Sequence, residues 1–230
     1  MKPNMILLHG LFGGLSNWKG VTSHFQSDYE IHIPPLPLFD QHKEDNLDYL
    51  VRFLENYIQQ HQLRDIVLVG NSLGGHVAIL YAHRHPAQVR RLVLSGSSGL
   101  YENTSMGSYP KRGNYAYIKE RVAYTFYDPA VATASLVAEV FSITTDARKC
   151  YSVVRMAKSA QRNHVGKLLP EIPVKTLLIW GEDDKISPPE VAHEFAELLP
   201  DASLVMLPQC GHAPMMERPE EFNVALAAFL

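Results

Sequence analysis

Short apolar runs rich in β-branched residues recur at Met5–Leu8, Glu30–Ile33, Ile66–Val69, Arg91–Leu94, Val174–Trp180 and Ser203–Leu207, and each reads as a strand. Most of the gaps between them carry apolar residues at helical spacing, as in Leu47, Leu50, Val51, Leu54 and Ile58, in Val77, Ile79, Leu80 and Ala82, and in Val191, Phe195, Leu198 and Leu199. Strands that alternate with helices build βαβ units, so the expected fold class is α/β, a mostly parallel sheet flanked by helices. Ile66–Val69 and Thr176–Trp180 are apolar without interruption. That pattern fits central strands covered on both faces, because a strand with one wet face alternates.

One stretch breaks the rhythm. From residue 99 to residue 170 no strand signal occurs, while Tyr115, Tyr117, Tyr124, Phe126, Tyr127, Phe141 and Tyr151 lie in helix-like segments. Turn-forming sequences bound it, Ser95-Gly96-Ser97-Ser98-Gly99 on one side and Leu169-Pro170-Glu171-Ile172-Pro173 on the other. The reading is a helical insertion, 99–170, in a core made of 1–98 and 171–230. An insertion that leaves after one strand and returns to the next sits over the strand ends, where open α/β sheets bind ligands, so a lid is expected.

With 230 residues and 46% hydrophobic content, one domain with a sizeable core is expected. Twenty-one basic residues against 24 acidic ones, without a block of either sign, favour neither nucleic acid nor an anionic membrane surface. Cys150 and Cys210 lack zinc-ligand or C-x-x-C spacing and suit a reducing cytoplasm. No long apolar leader follows Met1, and no run reaches the roughly 20 apolar residues of a membrane helix, so a soluble cytoplasmic protein is expected. The oligomeric state has no sequence signal here.

Four motifs carry chemistry. Gly70-Asn71-Ser72-Leu73-Gly74-Gly75 stands directly after the strand Ile66–Val69 and before a helical pattern. A serine on a sharp strand-to-helix turn presents its hydroxyl to the site, and the turn needs near-absent side chains around it. His9-Gly10-Leu11-Phe12-Gly13-Gly14 ends the first strand. Acyl transfer requires two N–H donors for the oxyanion, assigned here to Leu11 and Leu73, with Phe12 as the substitute for Leu11. Trp180-Gly181-Glu182-Asp183-Asp184 follows a central strand, and Gln209-Cys210-Gly211-His212-Ala213-Pro214 follows the last. A serine hydroxyl needs a base, and the base needs an acid to fix its tautomer. His212 and Asp184 fit those roles, with Asp183 the competing carboxylate. Ser72 is the expected nucleophile.

On these motifs, His9-Gly10-x-x-Gly13, Gly70-x-Ser72-x-Gly74-Gly75, Gly181-x-x-Asp184-x-x-x-Pro188 and Gly211-His212-x-Pro214, the chain resembles the α/β-hydrolase superfamily over essentially its whole length. It looks most like small lidded esterases, haloperoxidase-like perhydrolases and carbon–carbon hydrolases of ring-cleavage products. The resemblance implies the chain order serine, acid, histidine, and a helical cap between the fourth and fifth strands. Serine at position 72 departs from the haloalkane dehalogenases and epoxide hydrolases, which carry aspartate there. Leu11-Phe12 and Ala213-Pro214 depart from the longer glycine run and the aromatic residue of the carbon–carbon hydrolases. The antiparallel strands that often precede the first parallel strand in the family are expected to be missing or reduced, so a sheet of about six strands is expected. The expected activity is hydrolysis of a small, mainly apolar carboxylic ester, with no cofactor or metal. The rivals are carbon–carbon hydrolysis of a diketo acid, for which Arg148, Arg155, Lys158 or Arg162 would hold a carboxylate, and a non-catalytic ligand receptor.

Overall fold

The six apolar runs pair into one sheet of parallel strands: β1 (Asn4–Leu8), β2 (Glu30–His32), β3 (Ile66–Asn71), β4 (Val89–Ser95), β5 (Thr176–Gly181) and β6 (Ala202–Leu207). Their order across the sheet is β2-β1-β3-β4-β5-β6. These coordinates form a computed structural model that describes residues 2–13, 18–102, 111 and 113–230.

The uninterrupted hydrophobicity of the strands follows from two buried faces. Ile6, Leu8, Leu68, Leu92, Leu94, Leu178 and Trp180 point to one face, where they meet α2 (Asn46–Gln60), α3 (Leu73–Arg84) and α7 (Pro189–Leu198). Met5, Leu7, Val67, Val69, Val93, Leu177 and Ile179 point to the other, against Trp18, α1 (Lys19–Phe25) and α9 (Pro219–Phe229). Alternate residues thus feed two separate cores, each side chain adding about 1.5–3 kcal/mol on burial. α2 shows how the helices are specified. Its N-terminus is capped by Asp45, whose side chain accepts the Leu47 N–H at 2.9 Å, and Leu47, Leu50, Val51, Leu54 and Ile58 form its buried stripe.

Between β4 and β5 run three longer helices, α4 (Tyr115–Tyr124), α5 (Ala134–Thr145) and α6 (Ala147–Arg162). Asn114, Thr133 and Asp146 cap their N-termini through side-chain oxygens. α6 is fastened to the start of α2: Ser159 Oγ donates to Asp45 Oδ2 at 3.0 Å, Arg155 Nη2 donates to Asn46 Oδ1 at 3.1 Å, and Asn46 Nδ2 returns a bond to the Arg155 carbonyl at 3.2 Å. Cys150 and Cys210 are free and buried. Among the described residues no helix is long and apolar enough to cross a membrane.

Three helices carry too weak a pattern to be read from sequence. α1 spans seven residues with two buried apolar positions, α8 (Pro214–Glu217) has four residues, and α9 adds only Phe222 and Leu226 to the buried apolar set.

The topology fixes where a ligand goes. From β1 the chain moves outward to β2, then returns to place β3 on the other side of β1. The strand order therefore reverses between β1 and β3, and the crevice beyond their carboxyl ends is the natural binding position.

Candidate active site

Ser72 lies in that crevice, on the residue that joins β3 to α3, with φ 54° and ψ −120°. A non-glycine residue rarely adopts this conformation, which costs about 1–3 kcal/mol and persists only where the surroundings enforce it. The enforcement is visible. The Ser72 N–H donates to the Ser95 carbonyl at 3.1 Å, and the Ser72 carbonyl accepts from His76 at 3.2 Å and Ser98 at 3.1 Å. Gly74 permits the turn: a Cβ there would lie 2.2 Å from the Leu8 carbonyl oxygen, so α3 can pack onto β1 only without a side chain.

The loop after β1 stands beside the serine, since a Cβ on Gly10 would be 3.2 Å from that of Ser72. His9 fastens this loop. Its Nδ1 faces the Gly10 carbonyl at 2.8 Å and its Nε2 accepts the Leu36 N–H at 3.2 Å, which assigns the ring proton to Nδ1. Leu11 lines the crevice, and the Leu73 N–H is the first of α3, where no intrahelical acceptor exists.

His212 and Asp184 meet across the ends of β5 and β6. His212 Nδ1 lies 2.9 Å from Asp184 Oδ2, with both residues buried, at 6% and 3% exposure. Asp184 Oδ1 accepts the N–H groups of Ile186 at 2.8 Å and Ser187 at 2.9 Å, so the carboxylate is held at both oxygens. A carboxylate only accepts, which puts the imidazole proton on Nδ1 and leaves Nε2 free as a base. Gly96, with φ 50°, passes so close that a Cβ would be 3.0 Å from His212 Nδ1 and 3.2 Å from Asp184 Oδ2. Asp183 takes no part in this pair; its backbone N–H donates to the Cys210 carbonyl.

The electrostatics separate His212 from the other buried histidines. Burial lowers the pKa of His9, and pushes His76 down to about 4. Burial acts on His212 in the same sense, but the charge and hydrogen bond of Asp184 and the charges of Glu102 and Glu217 together outweigh it, so its pKa is raised.

Sequence reasoning missed the supports of the histidine loop. Glu217, on α8, accepts N–H groups from Gly211 at 3.0 Å, Ala213 at 3.3 Å and Tyr127 at 2.7 Å, clasping both neighbours of His212. The His212 N–H itself donates to the Thr125 carbonyl at 3.0 Å. Asn71 Nδ2 donates to the carbonyls of Ser95 at 2.9 Å and His212 at 3.1 Å. Only the place of Asn71 inside the elbow motif was a signal.

Ser72 and His212 open on a cavity of about 350 Å³. Its floor is the Gly10–Gly13 loop with Asn71 and Ala213, and its walls are apolar residues of α4, α5 and α6, among them Ile118, Val122, Val140 and Val153. Glu102, Arg121 and Tyr117 also line it. Arg148, Arg155, Lys158 and Arg162 do not line it, so none of the four cations considered from sequence is the one at the site. Among the described residues no group of three or more metal-ligating side chains occurs.

Residues 5–225 match the alpha/beta hydrolase family. The chain is an α/β hydrolase. Among the relatives of this α/β hydrolase is the 2-hydroxy-6-oxo-6-(2'-aminophenyl)hexa-2,4-dienoic acid hydrolase of Metapseudomonas resinovorans, 28% identical over 98% of this chain and 83% of that protein. Lipase 1 of Psychrobacter immobilis is 26% identical over 94% of this chain and 73% of that protein. A solved α/β hydrolase enzyme from the metagenome of sediments of the Mar Chica lagoon, Morocco, is 36% identical, with a TM-score of 0.80 over 99% of this chain and 90% of its own.

Proposed function

We propose that this α/β hydrolase is a carboxylic ester hydrolase that works through an acyl-serine intermediate. The observation that carries the reading is the buried His212–Asp184 pair, 2.9 Å apart, opening on the same cavity as a serine with φ 54°. Ser72 Oγ attacks the ester carbonyl while His212 Nε2 takes its proton. Asp184 holds the imidazole by Nδ1 and stabilises the imidazolium. The N–H groups of Leu11 and Leu73 receive the oxyanion. His212 then returns the proton to the departing alcohol. Water, deprotonated by the same nitrogen, attacks the acyl group and releases the acid and the Ser72 hydroxyl.

In this reading residues 1–98 and 171–230 form the catalytic core and 99–170 the cap. The walls from α4, α5 and α6 support it, because they make the cavity apolar and keep water from the acyl-enzyme. The buried free thiols of Cys150 and Cys210 suit a reducing compartment such as the cytoplasm. A second reading, hydrolysis of a carbon–carbon bond next to a carbonyl, is favoured by relatives named as hydrolases of 2-hydroxy-6-oxo acids, compounds that contain no ester. The apolar walls and the lipase relative favour esters first.

Hydrolysis of p-nitrophenyl esters of two-, four- and eight-carbon acids tests the proposal, with Ser72→Ala as control. Turnover lost in the variant supports a Ser72 esterase, and the preferred chain length sizes the acyl pocket. No turnover by the unaltered protein contradicts it and moves weight to the carbon–carbon reading.

A further inference from the structure

Glu102 is the one acidic residue besides the Ser72–His212–Asp184 group that lines this largely apolar cavity. Among the described residues its carboxylate forms neither a hydrogen bond nor an ion pair. Neither oxygen is sealed off from solvent, so the unpartnered group faces the cavity that it lines. It stands near the reacting end, since it feels the charges of His212 and Asp184 and its own charge helps to raise the pKa of His212. Burial favours its neutral form, and His212, not Arg121, is the neighbouring cation that favours the charged one. Arg121 turns its charge elsewhere: its guanidinium lies 5.9 Å from the Tyr117 ring centroid and 5.5 Å from that of Tyr124, and Nη1 is withdrawn from solvent.

A carboxylate set in an apolar cavity has lost hydration without gaining donors, a cost that an entering group relieves if it brings them. His212 does not bring them. In the proposed mechanism it is neutral when substrate arrives, and its Nδ1 is taken by Asp184. A protonated amine brings an N–H donor and the opposite charge together, and such charge-assisted bonds are the strong ones. Apolar walls damp the attraction less than water does, while a substrate anion would meet like charge at the same place.

We propose that Glu102 is a specificity-determining residue of the cavity, and that the ester turned over at Ser72 carries a protonated amino group, which donates to the Glu102 carboxylate. An amino-acid ester and an amino-alcohol ester both offer that chemistry, one on the acyl side of the scissile bond and one on the alcohol side. The proposal rests on the ester-hydrolase reading, and extends it from a mainly apolar substrate to one with a cationic end.

The test compares cationic esters with uncharged isosteres at about pH 7, where the amine is protonated. On the alcohol side 2-(dimethylamino)ethyl butyrate is set against 3-methylbutyl butyrate, and on the acyl side methyl 4-(dimethylamino)butyrate against methyl 5-methylhexanoate. Released acid is measured by chromatography, with Ser72→Ala as background. The expected result is a preference of at least about tenfold in kcat/KM for the cationic ester on one side, lying mainly in KM, as for a hydrogen bond to a charged group. The side that shows it identifies the amino-acid or the amino-alcohol ester. Glu102→Gln should lower that preference at least about fivefold, and Glu102→Asp, which keeps the charge on a shorter arm, should retain part of it. Because the ratio is taken within each variant, a change in His212 that slows both esters alike cancels. No cationic preference on either side, or a preference unchanged in Glu102→Gln, overturns the proposal. Calorimetry of the two cationic esters with Ser72→Ala protein, with and without Glu102→Gln, makes the judgement independent of turnover. Binding that is lost with the Glu102 charge, when the unaltered protein cleaves no ester, upholds the cation site and refutes the esterase reading alone. Binding that is absent, or indifferent to Glu102, refutes the cation site.

Discussion

Replacing Asp184 by asparagine exchanges one carboxylate oxygen for an NH2 group and reverses a proton. In the protein Asp184 Oδ1 accepts two backbone N–H groups, from Ile186 and Ser187, and Oδ2 accepts one proton from His212. An asparagine has one oxygen to offer. Turning its amide nitrogen toward the loop would orphan two buried donors at about 1–3 kcal/mol each, so the oxygen stays with Ile186 and Ser187. The amide NH2 then faces His212 Nδ1, which must accept, and the imidazole proton moves to Nε2. In that tautomer Nε2 cannot take the Ser72 proton. A tautomer error of this kind costs about 10⁴-fold in kcat, or roughly 5 kcal/mol of transition-state stabilisation. Asp183→Asn touches no part of the pair and is expected to change kcat less than about threefold, as for other substitutions away from the chemistry. The assay is p-nitrophenyl butyrate hydrolysis near pH 8, with circular dichroism to establish that both variants fold. Asp184→Asn activity within tenfold of the unaltered protein, or an equal loss in Asp183→Asn, refutes the reasoning.

Three further outcomes are expected. In the proposed mechanism the base is neutral His212, whose pKa is raised because neighbouring carboxylates together outweigh burial, so kcat/KM should climb with pH through a midpoint above about 6.5. Glu102→Gln removes one of those charges and should move that midpoint to lower pH; an upward shift in the pH profile would contradict the charge argument. Glu217→Ala strips acceptors from the Gly211 and Ala213 N–H groups, and should lower kcat and melting temperature together, about 1–3 kcal/mol being at stake per orphaned donor; a variant as active and stable as the parent would show that the histidine loop needs no clasp. Gly74→Ala forces a Cβ within 2.2 Å of a backbone oxygen that cannot swing away, and should lower the melting temperature by roughly 2–12 °C, from an overpacking cost of about 1–3 kcal/mol at about 2–4 °C each. An unchanged thermal melt would show that α3 can shift off β1.

The sheet was legible because each strand combines a local signal with a global need. Ile66–Val69 is apolar at every position because it serves two cores, and that alone distinguishes it from a half-exposed strand. Strand ends shifted by a residue or two. β4 begins at Val89 and β5 at Thr176, because ladder pairing sets an end and hydrophobicity does not report it. The places of Ser72, His212 and Asp184 in the fold were legible because a strand-to-helix turn and two loops after strands need small residues at fixed offsets. Those of Arg121, Glu102 and Glu217 were not. Their places depend on which side of a helix or loop meets the cavity or the histidine loop, and Arg121 looks in sequence like any other cation on an exposed helix. The four cations considered in its place all lie on α6, whose cavity-facing side is Val153, Val154 and Ala157.

Labelling with a p-nitrophenyl alkylphosphonate, followed by peptide mass spectrometry, tests the Ser72 nucleophile most directly. The phosphonate should join one oxygen per chain, at Ser72, with release of one equivalent of p-nitrophenol and loss of esterase activity in step, and Ser72→Ala should take up none. A label on another residue, or full labelling of the alanine variant, would contradict the acyl-serine mechanism.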